Sequence, residues 1–162
     1  MNAEGPLGGL RVLFLPHPTQ SHLYEPWGKD AVAALRVRNQ VAVYDAKAEL
    51  QPQLTWAEVV VDHGGSSGSR EMVDATSGLR LWQILGTGID HFDLDYWRSR
   101  GIPVANCPGT FTAAALADCA LMFMLMLARR YRTLVERMQT GEYYGPAGIE
   151  LRGRSLVLTS FA

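Results

Sequence analysis

The chain has 162 residues, which is long enough for one ordinary domain with its own hydrophobic core. A formal net charge of -1 provides neither the basic surface of a nucleic-acid-binding protein nor a polybasic patch for an anionic membrane, so we expect neither partner. Hydrophobic residues make up 48% of the chain, close to the average for globular proteins.

The compartment is predicted from the N-terminus, the most apolar segment and the cysteines. The first ten residues, MNAEGPLGGL, lack the basic and apolar regions of a signal peptide. Residues 113–128 are interrupted by Asp118 and are too short to span a bilayer comfortably. Cys107 and Cys119 form no C-x-x-C pair and are interpreted as small buried hydrophobic residues in a reducing compartment. We therefore expect a cytoplasmic protein without a metal site.

Short apolar runs alternate with helical patterns along the first two thirds of the chain. Strands are predicted at residues 11–15, 41–44, 58–62, 81–85 and 104–106. Helices are predicted at residues 27–38 and 70–75, and between an N-cap at Asp93 and a C′ glycine at Gly101, whereas residues 52–56 are ambiguous. This alternation indicates an α/β fold with a parallel sheet and helices on both faces.

Pro108-Gly109 ends this first unit, so the predicted division is 1–107 and 108–162. A long helix is predicted over residues 112–134. Its centre, LMFMLMLA, is apolar on every face, and we expect it to be buried on all sides. A further buried strand is predicted within residues 151–159.

The turn Gly86-Thr87-Gly88 follows the fourth predicted strand. Ligands of open α/β sheets bind outside the carboxyl ends of the strands. Glycine permits positive φ and close approach of a ligand to the backbone, and successive N–H groups form a concavity that suits a small carboxylate. The alternative is a tight turn that needs glycine for steric reasons alone, and the residues leave both interpretations open.

The loop 64–68 follows the third predicted strand and faces the same edge of the sheet. Gly65 and Ser66 are therefore candidates for contact with the same ligand, and the loop offers the hydroxyl groups of Ser66 and Ser67. A flexible loop without a ligand is the alternative.

Asp90-His91 has the residue types of a catalytic pair. Adjacent residues rarely direct their side chains at each other, and both lie at the entry to a helix, where polar caps are expected. His17, His22 and His63 are scattered along the chain and predict no metal triad. The residues by themselves therefore indicate no catalytic residue.

Three segments considered together, ILGTGIDHFDLD, RGIPVANCPGT and AAALADCALMFMLMLARR, resemble the D-isomer specific 2-hydroxyacid dehydrogenase family. The resemblance is densest over residues 79–158. It implies a flavodoxin-like substrate-binding domain at 1–107, followed at 108–162 by a long interdomain helix and the first strand of an incomplete Rossmann domain. It also implies hydride transfer between NAD or NADP and a small 2-hydroxy or 2-keto acid.

The resemblance also implies roles for the residues of the two glycine-containing loops. Gly86, Thr87 and Gly88 would hold the substrate carboxylate through backbone N–H groups. The loop that contains Gly65 and Ser66 would line the same cleft.

For the cofactor, the resemblance implies contacts from the start of the long helix. Thr112 occupies the place of an Asn near the substrate and nicotinamide, Leu116 matches a small apolar residue beside the nicotinamide, and Asp118 replaces the usual Glu. Ser160 and Ala162 fall where the first two glycines of the dinucleotide motif belong. The family's catalytic Arg, Glu and His would follow Ala162, so we expect this chain to be inactive by itself.

A different class of function remains open. The apolar helix at 112–134 also suits a non-catalytic small-acid-binding or dimerisation module, with a homodimer formed through that helix.

Overall fold

The computed structural model describes residues 9–145 and 147–159. Two compact units make up the chain, Met1–Cys107 and Pro108–Ala162. In the part of the chain that is described, no helix is long and apolar enough to cross a membrane.

The first unit is built on a sheet of five parallel strands. The strands are β1 (Arg11–Leu15), β2 (Gln40–Val43), β3 (Val59–Asp62), β4 (Leu81–Ile84) and β5 (Val104–Ala105). Their order is β2-β1-β3-β4-β5, which is the order of flavodoxin-like folds, and every neighbouring pair is parallel. The predicted α/β class and the parallel sheet are confirmed.

Helices cover both faces of this sheet. They are α1 (Trp27–Arg36), α2 (Leu50–Trp56), α3 (Arg70–Asp74) and α4 (Leu94–Ser99). Val32 of α1 packs with Val12 and Phe14 of β1 on one face. The opposite face carries side chains from the other three helices together with alternate residues of the strands, including Leu13, Leu54, Val60, Val73, Trp82 and Trp97. Alternation along β1 thus directs successive apolar side chains into two cores.

The ambiguous segment at 52–56 belongs to α2. Leu54 is completely buried there against the sheet. This contact is between a helix and distant strands, so the local sequence pattern could not indicate it. Pro52 lies in the first turn of α2, where its missing N–H leaves no helical hydrogen bond unmade.

Both predicted ends of α4 are confirmed. Asp93 accepts a hydrogen bond from the Tyr96 N–H at 3.1 Å, and Gly101 has a φ of +69° just after the helix. Asp93 also pairs with Arg70 of α3 at 2.6 Å, which ties the N-terminus of α4 to α3. The Arg70 hydrogen bond, with the Tyr96 N–H second, lowers the pKa of Asp93.

In the second unit, the single long helix predicted at 112–134 is wrong. The structure has α5 (Ala113–Ala128) and α6 (Tyr131–Gln139), separated at Arg130, whose φ of 51° is left-handed. The Ala128 carbonyl accepts from the Ile149 N–H at 2.8 Å instead of a helical N–H. Gly148 lies against the same carbonyl, where a Cβ would have no room. The returning chain therefore ends the helix.

The expected burial of α5 on all sides does not occur either. Ala128 is its only buried residue, and Phe123 and Leu127 are 56% and 79% exposed. Cys119 is also exposed, contrary to its predicted burial, whereas Cys107 is half-buried. The other described residues of this unit are too few to cover a helix that is apolar around its whole circumference.

The strand predicted within 151–159 does not form. These residues are exposed and pair with no strand among the described residues. An apolar run becomes a strand only where a neighbouring strand takes its backbone hydrogen bonds, so the pattern by itself was insufficient.

Candidate functional site

The carboxyl ends of β1, β3 and β4 meet at one edge of the sheet. The register places Leu15, Asp62 and Ile84 side by side, and the ladder continues through the His63 N–H to Leu15 O at 2.9 Å. The strand order reverses between β1 and β3, which is where open α/β sheets form their ligand crevice. The segments that follow these strands are therefore the candidate site.

The turn after β4 is held by its carbonyl groups. The Cys107 N–H donates to Gly86 O at 3.0 Å, and Asn106 Nδ2 donates to Thr87 O at 2.6 Å. Because a trans peptide is planar, the N–H groups of Thr87 and Gly88 point away from these bonded carbonyls. Neither N–H has an acceptor among the described residues. The result is a pair of adjacent free donors, the arrangement that binds a small anion.

Neither glycine of this turn is explained by steric need. Gly86 and Gly88 have no positive φ. A Cβ on Gly86 would meet only Ile84 Cγ2 at 3.8 Å, and one on Gly88 only Asp90 Oδ2 at 4.0 Å. The interpretation that glycine is present for the turn alone is therefore not supported, and the space beside both residues is open to a ligand.

The glycines of the loop after β3 differ from those of the turn. Gly65 and Gly68 have φ values of +82° and +54°. A Cβ on Gly68 would lie 2.6 Å from the Phe92 ring, and Trp97 Nε1 donates to Gly68 O at 3.1 Å. A Cβ on Gly65 would lie 2.6 Å from His17 Nε2. This loop needs its glycines for its own conformation.

The buried carboxylate of Asp62 organises this loop and was missed from the sequence. Asp62 is 1% exposed and accepts from the Gly64 N–H at 2.8 Å, from Trp82 Nε1 at 3.1 Å and from the Ser66 hydroxyl. The hydroxyl hydrogen of Ser66 is thus engaged, and only its oxygen lone pairs remain for a ligand. The available signal was an acidic residue at the end of the apolar run EVVVD.

Two histidines that are distant in sequence meet at the same edge. His17 Nδ1 accepts from the N–H groups of Thr19 and Gln20 at 3.3 and 3.2 Å, so the neutral ring carries its proton on Nε2. The His63 ring packs against Phe14, and its Nδ1 is buried without a partner among the described residues. Burial lowers the pKa of His63, the nearby His17 lowers it further, and Asp62 opposes this shift. The His63 ring is therefore favoured in its neutral form, which can donate or accept a hydrogen bond.

The remaining candidates are not brought into this group. His91 packs edge-on against Phe92 and makes no hydrogen bond with Asp90 in the described structure. Thr112 donates to Gly109 O at 3.2 Å, and Leu116 is 64% exposed on α5. Both lie in the second unit, and their cofactor contacts remain predictions. No group of three metal-ligating side chains occurs within the described ranges.

Comparison with known proteins gives one family. The sequence model described as "D-isomer specific 2-hydroxyacid dehydrogenase, catalytic domain" matches residues 22–156. A hydroxypyruvate reductase from Thermotoga maritima is 27% identical over 145 residues, covering 86% of this chain and 47% of that protein. The chain thus spans about half the length of this relative.

Solved structures share the fold. The 2-hydroxyacid dehydrogenase of Ketogulonicigenium vulgare Y25 matches with a TM-score of 0.71 at 24% identity, over 91% of this chain and 46% of that one. The D-lactate dehydrogenase of Aquifex aeolicus, solved with NAD and lactic acid, matches with a TM-score of 0.63 at 22% identity, over 84% of this chain and 39% of that one. Dehydrogenases that use NAD or NADPH recur among such structures.

Proposed function

Because this chain belongs to the D-isomer specific 2-hydroxyacid dehydrogenase family, we propose that its first unit binds the carboxylate of a small 2-hydroxy or 2-keto acid. In this proposal, residues 1–107 are the substrate-binding domain of an oxidoreductase that uses NAD or NADP. Residues 108–162 supply the interdomain helix and the start of the nucleotide-binding domain. We place the protein in the cytoplasm.

One observation carries the proposal: the Thr87 and Gly88 N–H groups have no acceptor among the described residues, and each lies on the opposite side of its peptide from a carbonyl that is tied back. Two peptide donors at fixed spacing match the two oxygens of a carboxylate. Asn106 is a positioning residue in this account, since it touches the Thr87 carbonyl and not the ligand. We propose that Gly65 and the Ser66 oxygen contact the same ligand.

The nicotinamide cofactor would supply or accept the hydride when it is bound. Two residues at the beginning of α5 fit such a group. Leu116 presents an exposed apolar side chain, and the Thr112 hydroxyl retains free lone pairs while it donates to Gly109 O. In the complete reaction, the chain's own contribution is to bind and orient the acid, and we propose that the 162-residue chain binds it without turnover.

The test compares two matched amide-to-acid substitutions. Asn106→Asp removes the donor that holds Thr87 O, whereas Asn39→Asp removes a similar side-chain donor to Leu35 O in the α1–β2 connection. We expect oxalate, a non-reacting carboxylate probe, to bind about tenfold more weakly to Asn106→Asp. The new carboxylate cannot donate to Thr87 O and repels this carbonyl instead of holding it. Asn39→Asp keeps the wild-type affinity.

Calorimetric titration of oxalate and glyoxylate measures these affinities, and circular dichroism shows that both variants are folded. Equal oxalate affinity in wild type and Asn106→Asp contradicts the arrangement of the turn. Loss of NADH absorbance with glyoxylate and the purified chain contradicts the proposed absence of turnover.

The exposed apolar surface of α5 favours a second candidate function, a homodimer formed through residues 112–134. Exposed apolar patches of this kind mark interaction surfaces. Leu127 on α5 and Met138 on α6 are 79% and 60% exposed, which makes Met138→Glu a matched control for Leu127→Glu. Sedimentation should give a dimer that only Leu127→Glu dissociates, and a monomeric wild type would exclude this assembly.

A further inference from the structure

His17 lies at the same level of the sheet as the carboxylate-binding turn, two strands away. It follows Leu15 by two residues, as Gly86 follows Ile84, and Leu15 and Ile84 are aligned through β3. Two strand spacings amount to about 10 Å. The crevice at this edge of the sheet therefore has the Thr87 and Gly88 N–H groups at one end and His17 at the other.

The hydrogen bonds of His17 fix the proton of its neutral ring on Nε2. Two backbone N–H groups occupy Nδ1, so Nε2 is the donor, and Nε2 lies beside Gly65. No acceptor for Nε2 occurs among the described residues. The missing side chain at Gly65 allows the ring to occupy this place.

His63 supplies a second polar group between the two ends. It directly follows β3, and Nδ1 is buried without a hydrogen-bond partner in the described structure. Leaving a buried polar atom unpaired destabilises a fold, so such an atom calls for a partner that the described residues do not supply. Among the described residues, the carboxylate of Asp62 lies beside His63, and it already accepts from three donors.

We propose that His17 and His63 form a second binding point, which takes the distal carboxylate of a dicarboxylic 2-keto acid whose 2-keto-acid end lies on the Thr87 and Gly88 N–H groups. This inference rests on the proposed function, because it needs that turn to hold the first carboxylate. A five-carbon diacid fits the span, since its carbon chain plus a hydrogen bond of about 2.9 Å at each end reaches from one set of donors to the other. An uncharged tail would leave both imidazoles without a partner.

The experiment compares 2-oxoglutarate with 2-oxopentanoate, which has the same carbon chain without the distal carboxylate. Affinities are measured by calorimetry on the full 162-residue chain. His17→Asn keeps an acceptor in place of Nδ1 for the Thr19 and Gln20 N–H groups while removing Nε2. His63→Phe keeps a ring against Phe14 while removing both nitrogens. His22→Asn, at an exposed histidine, is the control.

The wild type should bind 2-oxoglutarate about tenfold more tightly than 2-oxopentanoate, the factor expected for hydrogen bonds to a charged group. His17→Asn and His63→Phe should each reduce this ratio of affinities at least about threefold. Both should leave the 2-oxopentanoate affinity unchanged, and this unchanged affinity shows that the variant is folded. The control should keep the full ratio.

The possible failures are distinguishable. If 2-oxopentanoate binds and the wild-type ratio is near one, the second binding point is refuted while the carboxylate turn stands. A ratio that survives in both site variants refutes the assignment to these histidines. If neither acid binds, the proposed function is overturned and this inference with it.

Discussion

Removal of the Asp62 carboxylate should destabilise the first unit far more than removal of an exposed acid. In Asp62→Ala, the Trp82 indole N–H remains completely buried and loses its acceptor, which costs about 1–3 kcal/mol. The Gly64 N–H and the Ser66 hydroxyl lose bonds to a charged acceptor but can reach water. The variant also no longer buries a carboxylate, and this offsets part of the loss. We therefore expect a net decrease of about 2–4 kcal/mol in the free energy of unfolding.

Urea unfolding followed by circular dichroism measures this change. Asp95→Ala is the control, because the Asp95 side chain is 93% exposed and its ion pair with Arg98 should contribute less than about 0.5 kcal/mol. Trp82→Phe removes the indole donor. The cost of Asp62→Ala should therefore be smaller by about 1 kcal/mol in that background. A decrease no larger than that of the control, or no coupling with Trp82, would refute the assigned role of Asp62.

Two further predictions concern the glycines and the contact between α3 and α4. Gly68→Ala should lower the free energy of unfolding by about 2 kcal/mol, because the new side chain combines a positive φ with a clash against Phe92. Gly88→Ala should change the free energy of unfolding by less than about 0.5 kcal/mol. Equal urea midpoints for the two variants would contradict this prediction. Arg70→Ala should raise the pKa of Asp93, because its largest cause of lowering is removed. On acidification, the stabilisation linked to ionised Asp93 would then be lost at a higher pH than in the wild type. Carbon NMR titration measures the pKa of the Asp93 carboxyl group, and an unchanged pKa would contradict this prediction.

Sequence reasoning succeeded where a structural signal is local. The apolar runs of β1, β3 and β4 are visible within four or five residues, and the caps Asp93 and Gly101 act within one helical turn. Local patterns also placed the turn 86–88 after a strand. The family match and the five-stranded parallel sheet confirm the class of fold that these patterns indicated.

Features that depend on contacts between distant segments of the chain were determined only by the tertiary structure. The end of α5 depends on a hydrogen bond from Ile149. The direction of the Gly88 donor depends on Asn106, 19 positions from Thr87, and that of the Thr87 donor depends on the Cys107 N–H. His17 and His63 meet only because parallel pairing aligns the ends of β1 and β3. The amino-acid sequence by itself determined the periodic elements, since these follow from neighbours a few residues apart, whereas the free donors of the site arise from contacts between distant segments that only folding brings together.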